Sequence, residues 1–85
     1  MVYARGMTRL KLMGENLHNA RKKSFPQDTL ANFALRIGVS RATLQKMERG
    51  ELSVTLDKYY GAAKVLNLAH TFDDLLKTEE SLFDD

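Results

Sequence analysis

Residues 29–50 read TLANFALRIGVSRATLQKMERG, two short helical patterns separated by a turn of about three residues. Leu30, Phe33, Ala34 and Ile37 recur at intervals of three and four, the period of a helix with one buried face. Asp28 or Thr29 caps that helix through a side-chain oxygen. Gly38 ends it at a position suited to a left-handed turn, which a Cβ would resist. Val39 then plugs the angle, Ser40 caps a second helix running to about Arg49, and Gly50 closes it. Leu44 and Met47 face the core, and Ala34, four residues before Gly38, allows the two helices to cross closely. The opposite face of the second helix, Arg41, Ala42, Gln45 and Lys46, is left polar and uncovered.

The pattern stays helical in both directions. Towards the N-terminus, Leu10, Met13, Leu17 and Ala20 predict a helix from near Lys11 to the run Arg21-Lys22-Lys23, whose cations suit the negative end of a helix dipole. Gly14 weakens the middle of that pattern. Ser24-Phe25-Pro26 breaks it, because proline disfavours helical geometry in the residue before it, and Phe25 is expected to plug the core. Beyond the loop ELSV, Thr55 is expected to cap a helix carrying Leu56, Tyr59, Ala63 and Leu66, with Asn67 in the C-cap role. Thr71 is expected to cap a fifth helix, FDDLLK, with Asp73 and Asp74 in its first turn. No strand-like alternation interrupts the series, so the fold class is all-α. The expected organisation is a flexible N-terminal arm (1–10), a helical domain (11–76) and an acidic C-terminal tail (77–85).

Eighty-five residues suffice for one small core. With no cysteine, neither a disulfide framework nor a thiolate metal site is available, which suits a reducing cytoplasm. The apolar runs are too short to span a membrane, and the start lacks the apolar block of a signal peptide. A cytoplasmic protein without membrane contact is expected. Net charge is +2, but residues 1–50 carry ten Lys/Arg against three acids, and residues 51–85 carry three lysines against eight acids. A basic half and an acidic half suit a polyanion on one face and a segment held away from it. His18 and His70 lie far apart with no partner spacing, and no Gly-rich phosphate loop or Ser-centred elbow occurs. Neighbouring acids such as Asp73-Asp74 point in different directions on a helix. Neither catalysis, a cofactor nor a metal is expected.

GVSRATLQKMERG, followed by a short loop and LDKYYGAAKVLNL, resembles the Cro/lambda-repressor-like (Xre) DNA-binding domains over roughly residues 12–76. The resemblance implies a five-helix, lambda-repressor-like domain whose helix-turn-helix lays its third helix in the major groove of operator double-stranded DNA. On it, Arg41 and Ala42 meet base edges, with Gln45 and Lys46 one turn further on. Arg41 has the fork that bonds guanine twice, and Gln45 the amide that reads adenine. Ser40 and Thr43 are expected to reach phosphate, Lys46 and Arg49 to anchor it, and Thr55 to offer donors at a helix start. Apart from the resemblance, Arg5 and Arg9 would either run along the duplex as an arm or belong to a disordered terminus, the state chain ends favour. A helix-one arginine that pairs with a glutamate near the end of helix three maps onto Arg21 and Glu48. The family's phosphate-binding glutamine at the start of helix two is here Leu30, with Gln27 or Thr29 as substitutes.

These readings point to a sequence-specific repressor acting as a homodimer, with Leu68, Phe72, Leu75 and Leu76 of the fifth helical region as the dimer or partner interface. The tail KTEESLFDD embeds Leu82 and Phe83 among acids, either as a solubilising tail or as an interaction segment. LNLAHTFDDLLKTEESLFDD also resembles the C-terminal part of HipB-like antitoxins, partners of HipA-type kinases. The alternative is therefore an antitoxin that binds such a toxin kinase and autoregulates their operon.

Overall fold

The structure is a computed structural model and describes residues 9–51 and 53–78; the expectations for Arg5, Leu82 and Phe83 fall outside them. The described elements are all helical: α1 (Arg9–Ser24), α2 (Leu30–Ile37), α3 (Arg41–Glu48), α4 (Leu56–Val65) and a 3₁₀ helix (Ala69–Asp74). Two boundaries differ from the sequence expectation. α1 begins at Arg9, so Arg9 and Leu10 belong to a helix rather than to an arm. The last element starts at Ala69 and is 3₁₀, with no side-chain cap. Thr71 lies inside it, and its hydroxyl donates to the Leu68 carbonyl at 2.7 Å. The tighter winding suits a short connector, and it brings the Phe72 ring edge-on to Tyr60, centroids 5.3 Å apart.

Phe33, Leu44 and Met47 are fully buried at the centre, with Ala34, Tyr59, Ala62 and Leu66 around them. Burying each large apolar side chain contributes roughly 1.5–3 kcal/mol. Met13, Leu17, Ala20, Phe25, Leu30, Ile37, Val39 and Phe72 close the shell. Phe25 lies tilted against Phe33 at 5.6 Å between centroids, the plug its place after the first helix suggests. Leu56 departs from expectation: it is 55% exposed, because the chain enters α4 at the margin of the core.

The turn between α2 and α3 is built by two backbone bonds. Gly38, at φ 78°, donates to the Leu35 carbonyl (3.2 Å), and Val39 donates to that of Ala34 (3.0 Å). Asn67, at φ 61°, ends α4 the same way, with Leu68 N–H on the Ala63 carbonyl at 2.7 Å. Both satisfy carbonyls that the helix end would leave bare.

Gly14, which reads in sequence as a weak point, is where α1 crosses the end of α3. A Cβ there would lie 2.5 Å from the Glu48 carbonyl oxygen and 2.6 Å from the Gly50 nitrogen. From the other side, a Cβ on Gly50 would strike the backbone of Leu10 and Lys11. The two main chains approach as closely as they do because neither carries a side chain at the crossing.

Candidate nucleic-acid interface

The two helices of the turn begin on side-chain caps. Thr29 Oγ1 accepts from the Asn32 N–H at 3.1 Å, and Ser40 Oγ accepts from the Thr43 N–H at 3.0 Å. Thr29, not Asp28, is thus the first cap. The Ser40 hydroxyl also donates to Thr43 Oγ1, so these two groups are already engaged with one another. Asp28 takes a fork from Arg36 instead, at 2.5 and 3.1 Å. The Arg36 guanidinium lies 4.2 Å from the Phe25 ring centroid. That hydrogen bond holds the Asp28 carboxyl below its ordinary range. The clip ties the last turn of α2 to the loop after α1. Asp28 lies outside the helix that carries Arg36, so the pair is not one of the neighbouring three- or four-residue pairs that sequence reasoning looks for.

With Leu44 and Met47 turned inward, α3 presents Arg41, Ala42 and Lys46 to solvent, with Gln45 half-buried beside them. Among the described residues, the side chains of Arg41, Gln45 and Lys46 have no hydrogen-bond or ion-pair partner.

Other expected contacts are placed differently. Arg49 Nε donates to Glu51 Oε2 at 2.8 Å, so a phosphate must compete with a carboxylate for it. Thr55 stands at the N-cap position of α4 but accepts no helix N–H. Its hydroxyl donates to Asp57 instead, lowering that carboxyl below its usual range. The α4 terminus therefore holds its own acid, which complements the dipole there. Leu30 is half-buried and packs on the core, consistent with an apolar residue in place of glutamine.

On the inner side, Arg21 is 6% exposed. Its Nε donates to Glu48 Oε2 at 2.7 Å and its Nη2 to Oε1 at 3.1 Å. His18 Nδ1 lies 2.9 Å from the same Oε1, although the imidazole itself stays exposed. Burial pushes the Glu48 carboxyl up, but the hydrogen bonds from Arg21 and His18 and their charges outweigh it and hold it below the ordinary range. Together with the Gly14 crossing, this pair fixes the last turn of α3 to α1.

Of the residues expected at a dimer or partner interface, Leu68 is exposed, Leu75 is 53% exposed and Leu76 is 99% exposed. Phe72 is not available in the same way, since it packs on the core and on Tyr60. Among the described residues, no cluster of His, Cys, Asp and Glu is placed to hold a metal ion, and no helix is long and apolar enough to cross a membrane.

A family model described as Helix-turn-helix matches residues 28–72. The match runs from the Asp28–Arg36 clip through both helices of the turn and on to Phe72. No curated protein and no solved structure matches the chain.

Proposed function

The chain belongs to the helix-turn-helix family of DNA-binding transcription regulators, and from that premise we propose that it is a sequence-specific repressor that reads operator DNA as a homodimer. The observation that carries this reading is the bare polar face at the start of α3. A helix held by its inner face, with its N-terminal residues uncovered, fits the major groove with those residues at base edges. Arg41 is the reader of guanine and Gln45 of adenine, while Ala42 is small enough to meet a thymine methyl. Lys46 supplies phosphate affinity, and Arg49 joins it when it exchanges Glu51 for phosphate. A two-fold dimer reads a pseudo-palindrome with half-sites about one turn, roughly 34–36 Å, apart.

A fluorescence titration of the chain's own promoter against a scrambled duplex, at two salt concentrations, tests this. Affinity is expected to fall steeply with salt as phosphate neutralisation releases counterions. Arg41→Ala is expected to cost about 1–3 kcal/mol on the promoter and to relax preference at one base pair. Equal binding of promoter and scrambled duplex would sink the specific-repressor reading.

The acidic tail with its Leu82-Phe83 pair supports a second reading, an antitoxin holding a HipA-type kinase. A kinase-like gene beside this one favours it. So does loss of kinase binding, with operator binding intact, in the double variant Leu82→Ser, Phe83→Ser; unchanged kinase binding counts against it.

A further inference from the structure

The end of α3 closes on its own main chain. Gly50 N–H bonds the Met47 carbonyl at 2.9 Å, and Glu51 N–H bonds that of Lys46 at 3.1 Å. Gly50 makes the turn at φ 73°, the left-handed geometry on which helix ends commonly close. The buried Tyr59 of α4 then donates its hydroxyl to the Glu51 carbonyl at 3.1 Å. Glu51 is thus pinned by its main chain from two sides, at the end of the helix that presents Arg41, Gln45 and Lys46. None of these bonds uses its carboxylate, which takes Arg49 instead.

Arg49 Nε donates to Glu51 Oε2 at 2.8 Å, with the arginine side chain 60% and the glutamate side chain 38% exposed. An ion pair so open to water adds little to stability, and the helix end is closed without it. What it changes is the availability of a cation. Arg49 directly follows α3 and is the phosphate anchor of the operator-reading helix proposed above. A carboxylate two residues away is always present, so a hydrated phosphate in a loose complex competes with it poorly. Exchange also leaves the Glu51 carboxylate bare beside a phosphate, a like-charge cost that another contact must offset. Matching bases supply that contact, because bonds to Arg41 and Gln45 hold α3, and Arg49 with it, in one pose. At the far end of the same loop the Thr55 hydroxyl is likewise engaged by an acid of the chain, Asp57.

We propose that Glu51 is a specificity-determining residue that withholds Arg49 from phosphate until base contacts seat α3. The proposal rests on the reading of α3 as the operator-reading helix and deepens it. Binding to non-matching DNA is almost wholly electrostatic, so withholding one cation weakens it in full. The operator complex recovers that cation once α3 is seated.

The test is the titration of the full chain with promoter and scrambled duplexes between about 50 and 200 mM salt, with melting followed by circular dichroism. Glu51→Gln is expected to raise affinity for the scrambled duplex roughly two- to fivefold, the worth of an exposed ion pair. Promoter affinity should change less, so the preference for the promoter narrows. The salt dependence on the scrambled duplex should steepen by up to about one phosphate's share. Melting should stay level, because glutamine keeps both main-chain bonds. Arg49→Ala alone is expected to weaken promoter binding and leave the scrambled duplex untouched, whereas in the Glu51→Gln background it weakens both. A merely structural Glu51 would move melting and leave the salt dependence alone. A wild-type chain that prefers its promoter, but in which Glu51→Gln shifts both duplexes equally or neither, overturns the gate and spares the repressor reading. A wild-type chain that binds both duplexes equally overturns both.

Discussion

The α1 helix makes two kinds of contact, built to opposite tolerances. Towards α3 it is held rigidly: two glycines let the main chains touch, and the Arg21–Glu48 fork fixes the last turn. Towards α4 and the 3₁₀ helix it leaves an apolar groove with a leucine-lined lip. The difference follows from what each side must deliver. A recognition helix has to be held within a fraction of an ångström of its working pose, and only rigid support does that. A domain of this size cannot also fill every apolar face from its own residues.

The largest expected effect sharpens this contrast directly. Leu44→Ala, at a fully buried position, is expected to cost about 3–4 kcal/mol in urea unfolding, the usual range for a core leucine. Leu75→Ala, on the groove lip, is expected to stay within about 0.5 kcal/mol at low protein concentration. If the two cost the same, the groove is core and the contrast collapses.

The next effect reverses a rule. In an open helix interior, Gly→Ala stabilises by roughly 0.5–1 kcal/mol. Gly14→Ala is expected instead to destabilise by about 2 kcal/mol, since the new methyl meets backbone that cannot step aside. Gly61→Ala in α4, where a Cβ finds nothing within 4 Å, is expected to keep the ordinary sign. Gly14→Ala should also weaken operator binding more than its stability loss explains, because the strain falls on the last turn of α3. A stabilising Gly14→Ala would show that the crossing has slack.

The same two faces explain what could be read from sequence. The turn was legible because its determinants are local: Thr29 and Ser40 cap within three residues, and Gly38 answers to Ala34 and Leu35. Arg21 and Glu48 were found only through the family resemblance, since nothing nearby in sequence links them. Gly14 was misread because its partner lies at Glu48–Gly50, on another helix. Thr55 and Thr71 stand where caps are expected, yet Asp57 and the Leu68 carbonyl engage their hydroxyls. The exposed polar face of α3 was legible by subtraction: once Leu44 and Met47 turn inward, Arg41, Ala42 and Lys46 must face out. The groove itself was not legible; sequence offered only Leu68, Phe72, Leu75 and Leu76 as an apolar interface, because the groove's shape depends on how the 3₁₀ helix ends.

The smallest expected effect separates a closed contact from an open one by acid and salt. Glu48 and Asp28 both hold depressed carboxyls, the first in a fork from the buried Arg21, the second in a fork from the exposed Arg36. In each case the folded chain keeps the carboxylate more strongly than the unfolded chain does. The unfolded chain therefore takes up its proton first as pH falls. The stability each contributes is complete above the ordinary carboxyl value, 4.5 for Glu48, and is lost as pH drops through the lower folded value. Glu48→Gln is expected to cost about 1.5 kcal/mol at pH 7 and to flatten the acid limb of the stability curve. Asp28→Asn should change that limb in the same direction but less, and its effect should vanish near 1 M salt, where screening acts within about 3 Å. The Glu48 effect should persist there, because ions reach the Arg21 side of that pair poorly. Urea midpoints from pH 7 to pH 3 at low and high salt measure both. Equal salt sensitivity would mean that water enters the α1–α3 contact as freely as it reaches the surface clip, and that the recognition helix is held less firmly than its distances imply.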